Sequence, residues 1–200
     1  MKRHVYLVWL TCLLLSVVQT ARAGEALDAF FRQMETQTLQ ADFVLTVSED
    51  AAQPMNYPGT ITLRGERFAL AMFDMEAAYD GSTLYIYSES TDELTLSTPT
   101  QQELTEANPF FYARALADVC TVSERAAQDG QSTTIVLTPK NQSAGIQKFT
   151  LVVKNHVPQK VTVKEGSKQT VLVLKNAAFL PAAGGTFRLE KPDAFVNDLR

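Results

Sequence analysis

The sequence predicts a mainly β chain with helices (α+β), built on one long antiparallel sheet of about ten to twelve strands that must curl or close. Three observations predict it. Short stretches with period-two alternation recur along the chain, separated by Gly, Pro, Asn and Asp turn signals. Several of them are apolar on both faces, as in Val171-Leu172-Val173-Leu174. The run of strands is interrupted in the middle by helix-start chemistry, Thr100-Gln101-Gln102-Glu103, a capping box.

The first residues do not belong to this pattern. Lys2, Arg3 and His4 form a basic start, Val5 to Val18 is largely apolar, and Ala21-Arg22-Ala23 is a small-residue cleavage signal. The expectation is a secretory signal peptide over 1–23, removed after Ala23, and a periplasmic chain of one domain over 24–200. Lipidation at Cys12 is the competing reading, but Leu10-Thr11 before it is a poor lipobox. Of the 18 basic residues, cleavage removes Lys2, Arg3 and Arg22, which leaves 15 against 22 acidic ones and a net charge near −7. An acidic chain without a basic cluster argues against nucleic acid and against anionic lipid surfaces. Only Cys120 remains as a thiol, so stability must come from core and sheet.

Glu25 to Gln37 reads as a helix, with Leu27, Phe30, Phe31 and Met34 on one apolar face. The first strand, Ala41 to Glu49, carries Phe43, Leu45 and Val47. Asp50 to Pro58 is a loop with two prolines. Gly59 to Arg64 has Ile61 and Leu63 on one face and Arg64 on the other; Arg67 to Phe73 carries Phe68, Leu70 and Met72. Met75 to Tyr79 leads into the hairpin signal Asp80-Gly81, and Ser82 to Ser88 returns with Leu84 and Ile86 on one face, Tyr85 and Tyr87 on the other. Glu93 to Thr98 precedes the capping box. Asn108-Pro109 is a second helix start, followed by Phe110, Phe111 and Tyr112, which cannot all face one way. The second half is a meander with strands at Cys120 to Ala126, Ser132 to Thr138, Gln147 to Val153, Gln159 to Lys164, Gln169 to Lys175 and Thr186 to Glu190, and a tail anchored by Phe195.

A sheet with one wet face alternates cleanly. Where strands are apolar twice over, the second face meets another layer, the lumen of a curled sheet, or a ligand. A filled barrel or sandwich and a concave sheet that holds a ligand both satisfy this pattern. Material for catalysis is scarce. His156 sits in the turn Asn155-His156-Val157-Pro158 with no nucleophile paired to it, Cys120 has no partner at metal spacing, and no phosphate loop, G-x-S-x-G or H-E-x-x-H occurs. No enzyme, metal or cofactor is expected.

One arrangement of motifs does point to a family. Gln40-Ala41-Asp42-Phe43 follows the first helix; then come Gly59-x-Ile61-x-Leu63-Arg64-x-x-x-Phe68, Tyr79-Asp80-Gly81-x-Thr83-Leu84-Tyr85-x-Tyr87, and the helical insertion from Thr98-Pro99 to Asn108-Pro109. This order and spacing resembles the periplasmic outer-membrane lipoprotein carriers, the LolA family, over nearly all of the chain from 24 on. The resemblance implies an unclosed β-barrel, or half-barrel, with a helical lid. It implies a carrier that binds the acyl chains of triacylated lipoproteins, takes them from an inner-membrane ABC exporter and passes them to an outer-membrane receptor, acting as a monomer without cofactor. It places the family's lid-latching arginine on Arg64 and cavity residues on Phe68 and Leu70. Leu70 stands where an aromatic is common, and Gly65 where Pro is common. The cavity is expected to draw on Phe43, Leu63, Phe68, Leu70, Met72, Tyr85, Tyr87, Phe110 and Phe111, with soft walls from Ile86, Val136 and Leu151. Lipid anchoring stores about 0.8 kcal/mol per buried CH₂, so a carrier must offer comparable but less complete apolar cover. Two rivals remain: a lipoprotein-sensing or glycolipid-export module on the same scaffold, and a lipid-modifying enzyme, which the missing histidine constellation disfavours.

Overall fold

A computed structural model describes residues 24–50, 52–141, 145–181 and 186–200, with residue 106 described by its backbone alone. The expected signal segment, 1–23, lies outside the described residues, as do parts of the two expected turns at 142–144 and 182–185.

Helix α1 (Glu25–Thr36) leads into β1 (Thr38–Glu49), β2 (Met55–Arg64), β3 (Arg67–Met72), β4 (Met75–Tyr79), β5 (Leu84–Ser88) and β6 (Glu93–Ser97). Two helices follow, α2 (Gln101–Ala107) and α3 (Pro109–Ala117). The chain then runs through β7 (Cys120–Ala126), β8 (Ser132–Pro139), β9 (Lys148–Lys154), β10 (Val157–Glu165), β11 (Lys168–Leu180) and β12 (Phe195–Asp198). The twelve strands of the described residues form one sheet in the order β12-β6-β5-β4-β3-β2-β1-β11-β10-β9-β8-β7. The first and last meanders meet at the centre, where β1 pairs with β11 from Thr38↔Leu180 to Glu49↔Lys168. The expected open half-barrel with an N-terminal helix is the architecture found.

α1 buries Leu27, Phe30 and Met34, one face at helical spacing. Its N-cap, Gly24, has no side chain to offer. The orphan N–H groups of Ala26 and Leu27 donate instead to the Glu124 carboxylate of β7, at 3.1 and 2.9 Å. At its other end the Met34 carbonyl accepts from the Gly65 N–H in the β2–β3 turn, at 2.7 Å. α1 thus spans from the β7 edge of the sheet to that turn and closes one end of the concave side. The capping box forms as the sequence predicts: the Thr100 hydroxyl accepts from the Glu103 N–H, and the Glu103 carboxylate accepts from the Thr100 N–H. Asn108 caps α3, accepting from the Phe110 and Phe111 N–H groups at 3.0 and 3.3 Å.

Several expectations are corrected. Residues 55–58, read as loop, belong to β2. Pro58 is tolerated there because β3 reaches only as far as Gly59↔Met72, so the edge of β2 beside Pro58 has no partner needing its N–H. The turn Asn155–His156 takes two positive φ values, 49° and 66°, so β10 begins at Val157, within the expected turn. β11 runs on to Leu180 past a positive φ at Asn176 and a register shift opposite Gln40/Asp42. Thr186 to Glu190 is not a strand; the last strand is β12, and it lies parallel on β6. Phe195, expected to anchor the tail, is 71% exposed. The tail is held elsewhere: Arg188 pairs with Asp80, Lys191 with Glu76, and Leu189 and Ala194 pack on Ala78, Tyr85 and Leu94.

Candidate functional site

A chamber of about 840 Å³, open to solvent, lies on the concave side of the sheet. Its floor and walls are built by alternation. β1 contributes Phe43, Leu45 and Val47, and β2 contributes Ile61. β3 gives Leu70 and Met72, β4 gives Met75 and Ala77, and β5 gives Leu84 and Ile86. From the other half come Val161 and Val163 of β10 and Leu172 of β11. Gln101, Gln102 and Thr105 of α2, with Ala107, Pro109 and Tyr112, form the cover. Polar groups sit at the margins: the α2 side chains on one side, and Glu165, Lys168 and Thr170 around the β10–β11 turn on the other. An apolar interior with a few polar groups at its rim, in the size range of about 300–1,000 Å³, is the ordinary form of a small-molecule pocket.

The cover is tied to the sheet. Tyr112 of α3 packs edge-on against Phe149 at 6.4 Å, and its hydroxyl lies near the Glu165 carboxylate at the end of β10. Burial, then the nearby Glu165 carboxylate, push the Tyr112 phenol up to about 12. A second, smaller crevice lies where α1, α3 and the β2–β3 turn meet, lined by Phe31, Met34, Gly65, Glu66, Phe110 and Phe111 among others.

The expected site residues divide. Phe43, Leu70, Met72 and Ile86 line the chamber. Leu63 and Phe68 do not. They are a cross-strand pair, fully buried at the end of the sheet that α1 covers, with Phe68 6.1 Å from the Tyr79 ring. Leu151 is likewise solid core, and Val136 is half-buried, alternating with core Ile135 and Leu137. Tyr85 and Tyr87 face the opposite, convex side. Leu84 and Ile86 take the chamber face of β5, and the tail covers the other face, where Tyr85 bonds Asp80 and Tyr87 lies under Lys191. Of the three consecutive aromatics, Phe110 is buried 5.4 Å from Phe30 and Phe111 lines the small crevice, while Tyr112 reaches the chamber. Arg64 ends β2 half-buried, immediately before the Gly65–Glu66 turn that lines the small crevice with α3, and is not among the chamber residues. Residues not anticipated in the chamber include Val161, Val163 and Glu165. The alternation Val161, Val163, Glu165 was legible, but no local signal tells which face is concave.

Among the described residues no group of His, Cys, Asp and Glu could hold a metal ion. Cys120 is buried, and burial pushes its thiol up. No described helix is long and apolar enough to cross a membrane.

The sequence matches the family described as outer membrane lipoprotein carrier protein LolA over residues 34–179. The chain belongs to the LolA family. The match includes the strands of the chamber as well as α2 and α3. No curated protein matches the chain significantly. Among solved structures, an uncharacterized conserved protein from Thermus thermophilus superposes with a TM-score of 0.58 at 13% identity, covering 88% of this chain and 98% of that one. A chain of the Pseudomonas aeruginosa MucA/MucB complex superposes with a TM-score of 0.50 at 15% identity, covering 82% of this chain and 59% of that one. A LolA superfamily protein from Nitrosomonas europaea matches at 10% identity with a TM-score of 0.37, covering 75% and 91%. At these identities the first two likenesses show the fold, and the LolA assignment rests on the sequence match.

Proposed function

We propose that this chain is a periplasmic carrier that shelters the acyl chains of lipoproteins in the chamber, between an inner-membrane ABC exporter and the outer membrane, with no catalysis of its own. The observation that carries the reading is the chamber itself: about 840 Å³ of space lined chiefly by aliphatic and thioether side chains in a member of a carrier family. Met72 and Met75 suit guests of no fixed shape, because thioethers are pliable. The polar groups at the rim fit a guest whose chains are apolar and whose head stays wet.

Purified protein should take up a hydrophobic fluorescent dye, and a triacylated peptide should displace it. Leu70→Arg places a charge among the chamber walls and should abolish uptake while leaving the fold intact by circular dichroism. Uptake that survives this change, or a peptide without acyl chains that displaces the dye equally well, would refute the reading.

Arg64 we propose as the family's lid latch. Support comes from its position, next to the turn that shares a crevice with Phe110 and Phe111 of α3. Arg64→Ala should speed dye entry into the empty protein; unchanged entry rates would count against the latch.

A further inference from the structure

α1 covers one end of the sheet. At the other end, beside the chamber, apolar side chains stand in solvent. Phe73, in the two-residue turn between β3 and β4, is 67% exposed and has φ 54°. A hairpin turn with positive φ at its first central residue ordinarily uses glycine there. A phenylalanine in that conformation carries steric strain that glycine would not. The ring does not repay this strain by burial in the core: it stands in solvent with the Tyr57 ring at right angles 5.5 Å away. The Tyr57 hydroxyl in turn reaches the Met55 sulfur at 3.2 Å, and Met55 is 56% exposed.

This cluster continues the chamber wall. Met72 and Met75, on either side of the turn, line the chamber, as does Val47, the register partner of Met55. The same row of the sheet runs from Met75 to Ser88, Glu93 and Phe195, which is 71% exposed.

We propose that this rim, with Phe73 at its tip, is a membrane-contact device that seats the chamber at the headgroup–acyl boundary of a bilayer. The occupant follows from three properties. At the Phe73 turn the rim runs directly into the apolar lining, through Met72 and Met75, whereas Ser88 and Glu93 separate Met75 from Phe195. It is a projecting two-residue turn with a few side chains, not a groove. Its charged neighbours are Glu49, Asp50 and Asp74 with Lys168 opposite Glu49, an acidic balance, so attachment would come from apolar insertion, with zwitterionic lipid preferred over anionic. The proposal rests on the chamber being an acyl site only for its purpose; the contact itself is testable without cargo.

The test is flotation of the chain from Gly24 onward with vesicles of phosphatidylethanolamine and phosphatidylcholine. The parent should float with the vesicles. Phe73→Ser should reduce the bound fraction about tenfold, Phe195→Ser less, and Leu199→Ser, a 63% exposed residue at the far end of β12, not at all. Phe73→Gly is the decisive variant: it should lose binding and at the same time unfold at a higher temperature. A parent that never floats would overturn the proposal. So would a Phe73→Gly protein that binds like the parent, tighter binding to phosphatidylglycerol vesicles, or a Phe73→Ser defect seen only with a protein partner. Dye uptake by the parent, measured beside it, decides the chamber reading separately.

Discussion

The ring of Phe43 lies against Gly59, its register partner on the neighbouring strand: a Cβ on the glycine would meet Phe43 Cζ at 2.5 Å and the Ala71 carbonyl oxygen closer still. Glycine here is required by space, not by φ. The large ring on the chamber floor occupies the gap that the missing side chain leaves.

Gly59→Ala should therefore be destabilising, although alanine ordinarily suits a strand better than glycine. The Ala71 oxygen is backbone and cannot swing away, so the sheet must spread or Phe43 must move into the chamber. A loss of about 1–3 kcal/mol, the usual cost of overpacking, is expected in urea titration, together with fewer dye molecules bound. A companion Phe43→Leu should recover part of the loss, because it relieves the side-chain half of the clash.

Tyr112→Phe keeps the ring against Phe149 and removes the hydroxyl beside the Glu165 carboxylate. Dye should enter the chamber faster with little change in the unfolding midpoint. The pH dependence has a definite sign. The phenol is held up to about 12 in the folded protein, above an ordinary value near 10. Its contribution is complete below about pH 10 and is lost as pH rises towards 12. In stability curves the parent should fall more steeply than Tyr112→Phe across that window, and parallel curves would show that the hydroxyl is not coupled to folding.

Asp80 ties the tail to the convex face. Burial alone would raise its carboxyl, but the N–H groups of Thr83 and Ser82, the Ser82 hydroxyl and Arg188 together hold it well below the usual carboxylate range. A depressed group contributes stability that is present above about pH 4 and disappears as pH falls through its folded value. Asp80→Asn should remove this acid sensitivity and cost about 1–3 kcal/mol at neutral pH, since the oxygen that accepts from both Arg188 and Tyr85 is replaced by a donor. Proteolysis should then begin in the tail, between 186 and 200.

Glu124 caps α1 across a sequence distance of almost a hundred residues. Glu124→Ala should cost about 1 kcal/mol, as loss of a local cap does. Hydrogen exchange should rise first at Ala26 and Leu27, which checks that the loss is at the helix start.

Locally written features are legible without coordinates. The capping box at Thr100 and Glu103 and the Asn108–Pro109 start mark α2 and α3 because each signal involves neighbours in sequence. Strand alternation also survives: Leu84 and Ile86 do share a face, as do Tyr85 and Tyr87. Alternation names two faces but not which is concave, and with both faces apolar it assigns the wrong pair, Tyr85 and Tyr87, to the chamber. What decides it is the tail, whose Leu189 and Ala194 cover Tyr85 from far along the chain. β12 is hidden from the sequence for the same reason: a short, exposed, parallel strand has no local pattern, only a partner. The burial of Leu63 and Phe68 likewise depends on α1 docking over the end of the sheet.

The sheet order begins at β12 and ends at β7, and these two edges do not pair with each other among the described residues. A sealed tube would have to be threaded from its end, which a fatty tail attached to a bulky folded body cannot easily do. A wall with a slit admits such a tail sideways and leaves the attached body outside, whatever its size. In the proposed carrier, the unpaired seam would keep the bulk of a passenger outside, so that one small protein would suit a large and varied clientele.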